Sequence, residues 1–343
     1  MLACSKCNTI PEILFEGYLE IYTPVPQLVE SLKEILNMES ANPILISYDN
    51  ANKLKELCEI INCSFNTKAK EMFYCSTLTA PGIKGATSIP FLQFYSRVQR
   101  PDYIEIMNNS LFTNHMQPII KLEDNEISGY EFLMRPINQD YPFQPYDLFQ
   151  MAKESGLQSY LDSATRISSI KVGAEFLPKG IKRFINFLPS SIYDPTHCLR
   201  TTFKAVEKYE VDPNDLVFEV VETEKVNEID HLKNIFNTYK AEGMKMALDD
   251  VGAGFATQEM LLELKPDFAK IDRSVVSYCD QNVGKQSKLS ELVSIAEAEG
   301  IILLAEGIER KEEAQFCREV GMTFGQGYYF GKPTERPVPR MKV

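Results

Sequence analysis

Polar groups in this chain fall repeatedly at the ends of apolar runs, and their types suggest a chemistry. Asn186 lies in RFINFL (183–188), Glu219 and Glu222 lie in FEVVETE, and Asp249 and Asp250 directly follow MKMAL (244–248). Lys270 and Asp272 lie in FAKID, Glu306 and Glu309 follow IILLA (301–305), and Gln326 precedes GYYFG. Such runs read as interior strands, where an ionisable group is costly unless paired or metal-bound. A single acid of this kind is readily a solvated loop residue. Five consecutive runs, each with an acid, amide or lysine near its C-terminal end, are not readily chance.

The donor types narrow the chemistry further. Carboxylates dominate, joined by Asn186 and Lys270, while His115, His197 and His231 and the cysteines fall elsewhere. Oxygen donors without imidazole or thiolate select hard cations, Mg2+ or Mn2+, over zinc. The adjacent Asp249 and Asp250 suit a two-metal site, in which one carboxylate bridges and the other holds the second ion. Two ions ~3.5–4 Å apart are a common device for phosphodiester cleavage.

Such groups need a scaffold that delivers successive strand ends to one place. From residue 110 onward, apolar strands alternate with amphipathic helices, with helices expected over 201–209, 230–242, 257–264, 288–299 and 311–320. Gly300 and Gly321 stand where helix C-caps belong. A further strand is expected over 327–330. Repeated β-α units imply a parallel sheet with helices outside. The segment has about the length of a (β/α)8 barrel, on the order of 250 residues. An open doubly wound sheet is the alternative, but no G-x-G-x-x-G turn follows the first strand.

The preceding residues read as a small α/β domain. Strands are expected at 17–22, 43–48 and 73–76, and helices at 27–36 and 51–61. An irregular stretch follows over 82–99, then a short connecting helix over 101–109. The boundary is placed near 108, giving a domain over 1–108 and a barrel over 109–343.

Bulk composition excludes several classes. The 343-residue chain is 44% hydrophobic and 24% charged, as expected of a globular protein. A net charge of −12 offers no diffuse positive field for nucleic acid. No apolar run approaches the ~18 residues that span a bilayer, and the N-terminus lacks the pattern of a secretory signal, so a cytoplasmic location is expected. Cys4-x-x-Cys7 is half of a zinc pattern, but ordinary reduced thiols are the simpler reading for the eight cysteines.

The motifs as a set resemble the EAL family of cyclic di-GMP phosphodiesterases. HMQPIIKLEDNEISGYEFLMRP (115–136) resembles its opening, with Glu131-Phe132-Leu133 at the signature triplet. INFLPSS, FEVVETE, ALDDVGAGF, KPDFAKIDRSVV, LLAEGIE and GQGYYFGKP follow in the family's order, over roughly 111–335. The resemblance implies a TIM-barrel-like fold with an unusual first strand and hydrolysis of cyclic di-GMP to linear pGpG. It also implies a homodimer. Glu131, Asn186, Glu219 and Asp249 would be metal ligands, and Asp250 a ligand to the second metal. Lys270 would orient or activate the attacking water, with Glu306 completing that network. Gln326 would support the site from the last strand, Arg135 would pair with a substrate phosphate, and Glu222 would hold the loop after Asp250. The alternative is an inactive EAL domain acting as a cyclic di-GMP receptor; such domains typically lose metal ligands, and none is lost here. Two departures stand out: Phe132 replaces the usual Ala, and the usual Phe-Gly-Thr-Gly reads Val251-Gly252-Ala253-Gly254. The latter puts rate and regulation in question, not the metal ligands.

Overall fold

The computed structural model describes residues 10, 13–39, 42–81, 83, 87–221, 229–253 and 258–338. The chain divides by contact into two compact units, one of residues 1–111 with 136–161 and one of residues 112–135 with 162–343. Cys4, Cys7 and Glu222 lie outside the described residues.

In the first unit, β1 (Gly17–Tyr22), β2 (Ile44–Tyr48), β3 (Tyr74–Leu78) and β4 (Ile89–Pro90) form a sheet in the order β2-β1-β3-β4. Alternate residues Leu19 and Ile21 of β1 are buried opposite Ile46 and Ile44 of β2. They share a core with Leu54, Leu57, Cys58 and Ile61 of helix Ala51–Ser64. Residues 82–99 are not wholly irregular as expected, because Phe91–Gln99 is a helix. Phe91, Phe94 and Val98 form a helical stripe buried in that core. Pro90 reads as a breaker in sequence, yet here it occupies the N-cap, where its missing N–H costs nothing.

The second unit is built on a closed barrel of eight strands. These are β5 (Phe112–Lys121), β6 (Ile127–Pro136), β7 (Lys182–Phe187), β8 (Leu216–Val220), β9 (Lys245–Val251), β10 (Phe268–Ile271), β11 (Ile302–Ala305) and β12 (Phe324–Gln326). Around the barrel the order is β10-β11-β12-β5-β6-β7-β8-β9. Strands β6 to β12 are parallel, and β5 runs antiparallel to β12. The reversal follows from a tight turn after β5, in which Asn125 holds φ 58° and its N–H donates to Lys121 O at 2.9 Å. The barrel interior is filled by Ile119, Phe184, Val217, Ala247, Phe268 and Leu304. Phe184 and Phe268 meet edge to face, with centroids 5.3 Å apart.

Helices follow the strands, among them Arg200–Lys208, Ile229–Ala241, Gln258–Leu264, Val283–Glu299 and Lys311–Val320. Gly300 and Gly321 close the last two in the left-handed region, as their positions suggest. The final strand is Phe324–Gln326, three residues earlier than the expected 327–330. Gly327, at φ 156°, presses against the Ile308 backbone and ends the strand. Phe330 N–H then donates to Gly327 O, making the aromatic run a turn. Among the described residues, no helix is long and apolar enough to cross a membrane.

Candidate functional site

The period-two geometry of the strands explains how the polar residues converge. A residue two places along a strand from an inward-pointing one also points inward, one layer higher. Phe184, Val217, Ala247, Phe268 and Leu304 fill the barrel. Two residues onward stand Asn186, Glu219, Asp249, Lys270 and Glu306. Phe324, packed against the same core, precedes Gln326 in the same way. On the reversed β5 the count runs backward, so Ile119 is paired with Gln117.

Lys270 stands at the centre of the cluster, with 1% of its side chain exposed. Its Nζ lies 2.7 Å from Glu306 Oε1, 3.0 Å from Glu219 Oε2, 3.2 Å from Asp249 Oδ1 and 3.7 Å from Glu131 Oε1. Glu131 is held on both oxygens: Asn186 Nδ2 donates to Oε1 at 3.0 Å and Gln326 Nε2 to Oε2 at 2.7 Å. The structure therefore brings together Glu131, Asn186, Glu219, Asp249, Lys270, Glu306 and Gln326.

Asp250 needs a separate explanation, because neighbours on a regular strand face opposite ways. The pairing of β10 with β9 shifts register between Ala269 and Ile271: Ala269 faces Leu248, whereas Ile271 faces Val251. The extra residue is a bulge in β9, and Asp250 within it takes φ 53°. Asp249, Asp250 and Glu306 consequently each offer a carboxylate oxygen within 4.8 Å of the others.

The electrostatics show a surplus of negative charge. Burial pushes the Glu219 and Glu306 carboxyls well above the usual range, and neighbouring carboxylates add to the shift against the pull of Lys270. Burial pulls the Lys270 ammonium down, but Asp249, Glu131, Glu219 and Glu306 outweigh it and hold the ammonium well above its ordinary value. One ammonium among so many carboxylates leaves the cluster short of positive charge. Glu219 Oε1 and Gln326 Oε1 are buried without a hydrogen-bond partner among the described residues. An orphan of this kind costs about 1–3 kcal/mol. Buried, oxygen-only, partly orphaned and net acidic, the donor set fits divalent cations.

A cleft of about 270 Å³ opens on the cluster, lined by Gln117, Glu131, Glu306, Gln326, Arg273 and Tyr328 among others. A larger cavity of about 890 Å³ lies by Arg183, Asp215 and Met244, at the opposite ends of their strands. Volume does not decide between the two, because it is the smaller cleft that opens on the titratable cluster. Gln117 carries no role in the sequence reading, although a buried amide in the apolar MQPII was a usable signal. Arg135 is half-buried and donates from Nη1 to Met134 O at 2.8 Å. Asp272 is not part of the cluster; it caps helix Arg273–Val276 through Ser274 N–H at 2.8 Å. Phe132 is buried in packing outside the barrel, consistent with a bulky residue beside Glu131 being tolerated.

Comparison with known proteins identifies the family of the barrel. The family described as EAL domain matches residues 103–333. Over 252 residues the chain is 30% identical to a probable cyclic di-GMP phosphodiesterase, PdeG of Escherichia coli, covering 70% of this chain and 48% of PdeG. It is 26% identical to the cyclic di-GMP phosphodiesterase PdeL of the same organism, over 70% of this chain and 67% of PdeL. The match to PdeB, a probable cyclic di-GMP phosphodiesterase, covers 46% of that protein, so the chain spans about half the length of PdeG and PdeB. Among solved structures, it is similar to a standalone EAL protein from Vibrio cholerae in its c-di-GMP-bound form. That match has TM-score 0.60 and 30% identity, over 66% of this chain and 93% of the other.

Proposed function

The chain belongs to the EAL domain family, and on that premise we propose that it hydrolyses cyclic di-GMP to linear pGpG with two divalent ions, Mg2+ or Mn2+. The observation that carries this reading is the bulge that brings Asp249 and Asp250 together beside Glu306. A binding site for a cyclic dinucleotide needs cations and shape; closely opposed carboxylates repel its phosphates unless cations are held between them. Glu131, Asn186, Glu219 and Asp249 would hold one ion and Asp250 would hold the second. Bound divalent ions supply counter-charge for the phosphodiester and a polarised water as nucleophile.

The remaining work falls to the chain's own side chains. Asn186 and Gln326 fix the rotamer of Glu131 by donating to both of its oxygens. Lys270 keeps Glu219, Asp249 and Glu306 gathered with its three N–H donors, and would orient the attacking water by turning one of them from a carboxylate to it. Glu306 accepts from Lys270 at 2.7 Å and would complete the metal and water network. Arg135 has further N–H donors beyond the one on Met134 O, and these suit a substrate phosphate. Glu222 keeps its proposed supporting role for the loop after Asp250. Homodimerisation belongs to this reading on family resemblance.

The test is incubation with cyclic di-GMP and Mg2+ or Mn2+, with an EDTA control, followed by chromatography of the products. Linear pGpG formed only with metal is expected. Binding seen by calorimetry without turnover would replace the enzyme by a receptor.

A further inference from the structure

The approach of Asp250 to Asp249 and Glu306 depends on the β9 bulge keeping its shape. Two deviations flanking Val251 build it: Asp250 holds φ 53° and Gly252 holds φ 95°, both at positive φ. Local hydrogen bonds include Asp250 N–H to Asp249 Oδ1 at 3.0 Å and a long one from Ala253 N–H to Asp250 O at 3.3 Å. A non-glycine residue in this conformation persists only when its surroundings over-determine it.

The surroundings supply a tether. Lys288 Nζ donates to the Gly252 carbonyl at 2.5 Å. Its Cε lies 3.4 Å from where a Cβ on Gly252 would stand, so the stem of the lysine also covers the glycine. Val275 Cγ2 closes in at 3.0 Å from the same point. Lys288 stands on helix Val283–Glu299, whose N-cap is Asn282 and whose Leu289, Leu292, Val293 and Ala296 are buried. The tether therefore runs from a long, well-anchored helix to the turn that follows the aspartates.

We propose that Lys288 is a positioning residue for the aspartate pair: by holding the Gly252 carbonyl, it keeps the β9 bulge in the form that turns Asp250 toward Asp249 and Glu306. The consequence for metal binding rests on the function proposed above; the clamp itself does not. A charged donor to a carbonyl is stronger than a neutral one. Its loss frees the turn to relax toward regular strand, in which Asp250 points away. Lys288 acts on the aspartates through the Gly252 carbonyl, which makes it a positioning residue and not a catalytic one.

The experiment compares Lys288→Met, which keeps the stem and removes the donor, with Lys288→Arg, which keeps a cation. Amide hydrogen exchange over residues 249–253 is measured in EDTA, and Mn2+ binding is followed by electron paramagnetic resonance. Lys288→Met is expected to exchange faster at those amides and to bind Mn2+ about 10-fold more weakly. Lys288→Arg should stay near wild type, and both variants should keep the wild-type unfolding midpoint within a few degrees. Unchanged exchange in Lys288→Met would overturn the clamp. Faster exchange with unchanged Mn2+ affinity would overturn its influence on the site. A wild-type protein that binds no Mn2+ would instead sink the metal reading, and exchange would still decide the clamp.

Discussion

Replacing Lys270 by Met separates the two cations the cluster can use, the ammonium and the metal. In the metal-free protein Lys270 faces four carboxylates at 2.7–3.7 Å, in a site where its own side chain is 1% exposed. Removing one partner of a buried ion pair costs about 3–5 kcal/mol, because the other charge is left uncompensated. For a unit of this size each kcal/mol lowers the unfolding temperature by about 2–4 °C. The variant should therefore unfold about 6–20 °C below wild type in EDTA at pH 8. Saturating Mn2+ supplies the missing positive charge, so the gap should shrink to a few degrees while turnover stays lost. The assay is paired thermal unfolding in EDTA and in Mn2+, alongside calorimetry of cyclic di-GMP binding and product chromatography. An equal loss of stability in both conditions would refute the reasoning, since Lys270 and metal would then not share the same carboxylates. Turnover near wild type would remove Lys270 from the chemistry.

Three further outcomes follow from the same geometry. Glu131→Gln and Asp249→Asn should each remove turnover by a factor of about 100 or more and weaken Mn2+ binding, while near-normal rates in either would refute its assignment as a ligand. Gly327→Ala should cost about 3 kcal/mol or more, because Gly327 has φ 156° and an added Cβ would strike the Ile308 backbone; denaturant unfolding would show it, and a loss below 1 kcal/mol would contradict the strand end described here. The third concerns pH: burial raises the Glu219 and Glu306 carboxyls above their ordinary 4.5, so the folded metal-free protein holds more protons than the unfolded chain above that pH. Their contribution to stability is thus full below about pH 4.5 and is lost as pH rises through the raised values. Because metal needs the deprotonated carboxylates, the Mn2+-induced rise in unfolding temperature should grow with pH, and a rise that is flat or falling from pH 5 to 8 would overturn this.

The sequence makes the barrel and most of its cluster legible for one reason. An apolar residue and a polar one at spacing two, repeated in run after run, can be satisfied only by strands whose polar members meet a common site. Phe184 with Asn186, Val217 with Glu219 and Phe268 with Lys270 all carry that pattern in plain view. Glu131 does not, because its companion is Gly129, and it entered only through likeness to the family motif. Gln117 escaped for a different reason: on the reversed β5 its place is counted backward from Ile119, and a reversal depends on a hairpin turn that alternation alone cannot show. The helix at 91–99 was hidden by Pro90, which breaks a helix from within but begins one at its edge.

Asp249 and Asp250 show where reading by period must fail. Alternation assigns them to opposite faces, and if the period held, Asp250 would point away from the cleft. They share a site because β9 carries one residue too many against β10, an irregularity with no compositional marker before Gly252. An irregularity of that kind has to be maintained by contacts remote in sequence, and the contact to the Gly252 carbonyl comes from Lys288, 36 residues away. The regular part of the site is thus written locally, strand by strand. The part that would hold a second ion depends on a pairing mismatch and a distant donor, so substitutions there should change metal affinity while leaving the barrel folded.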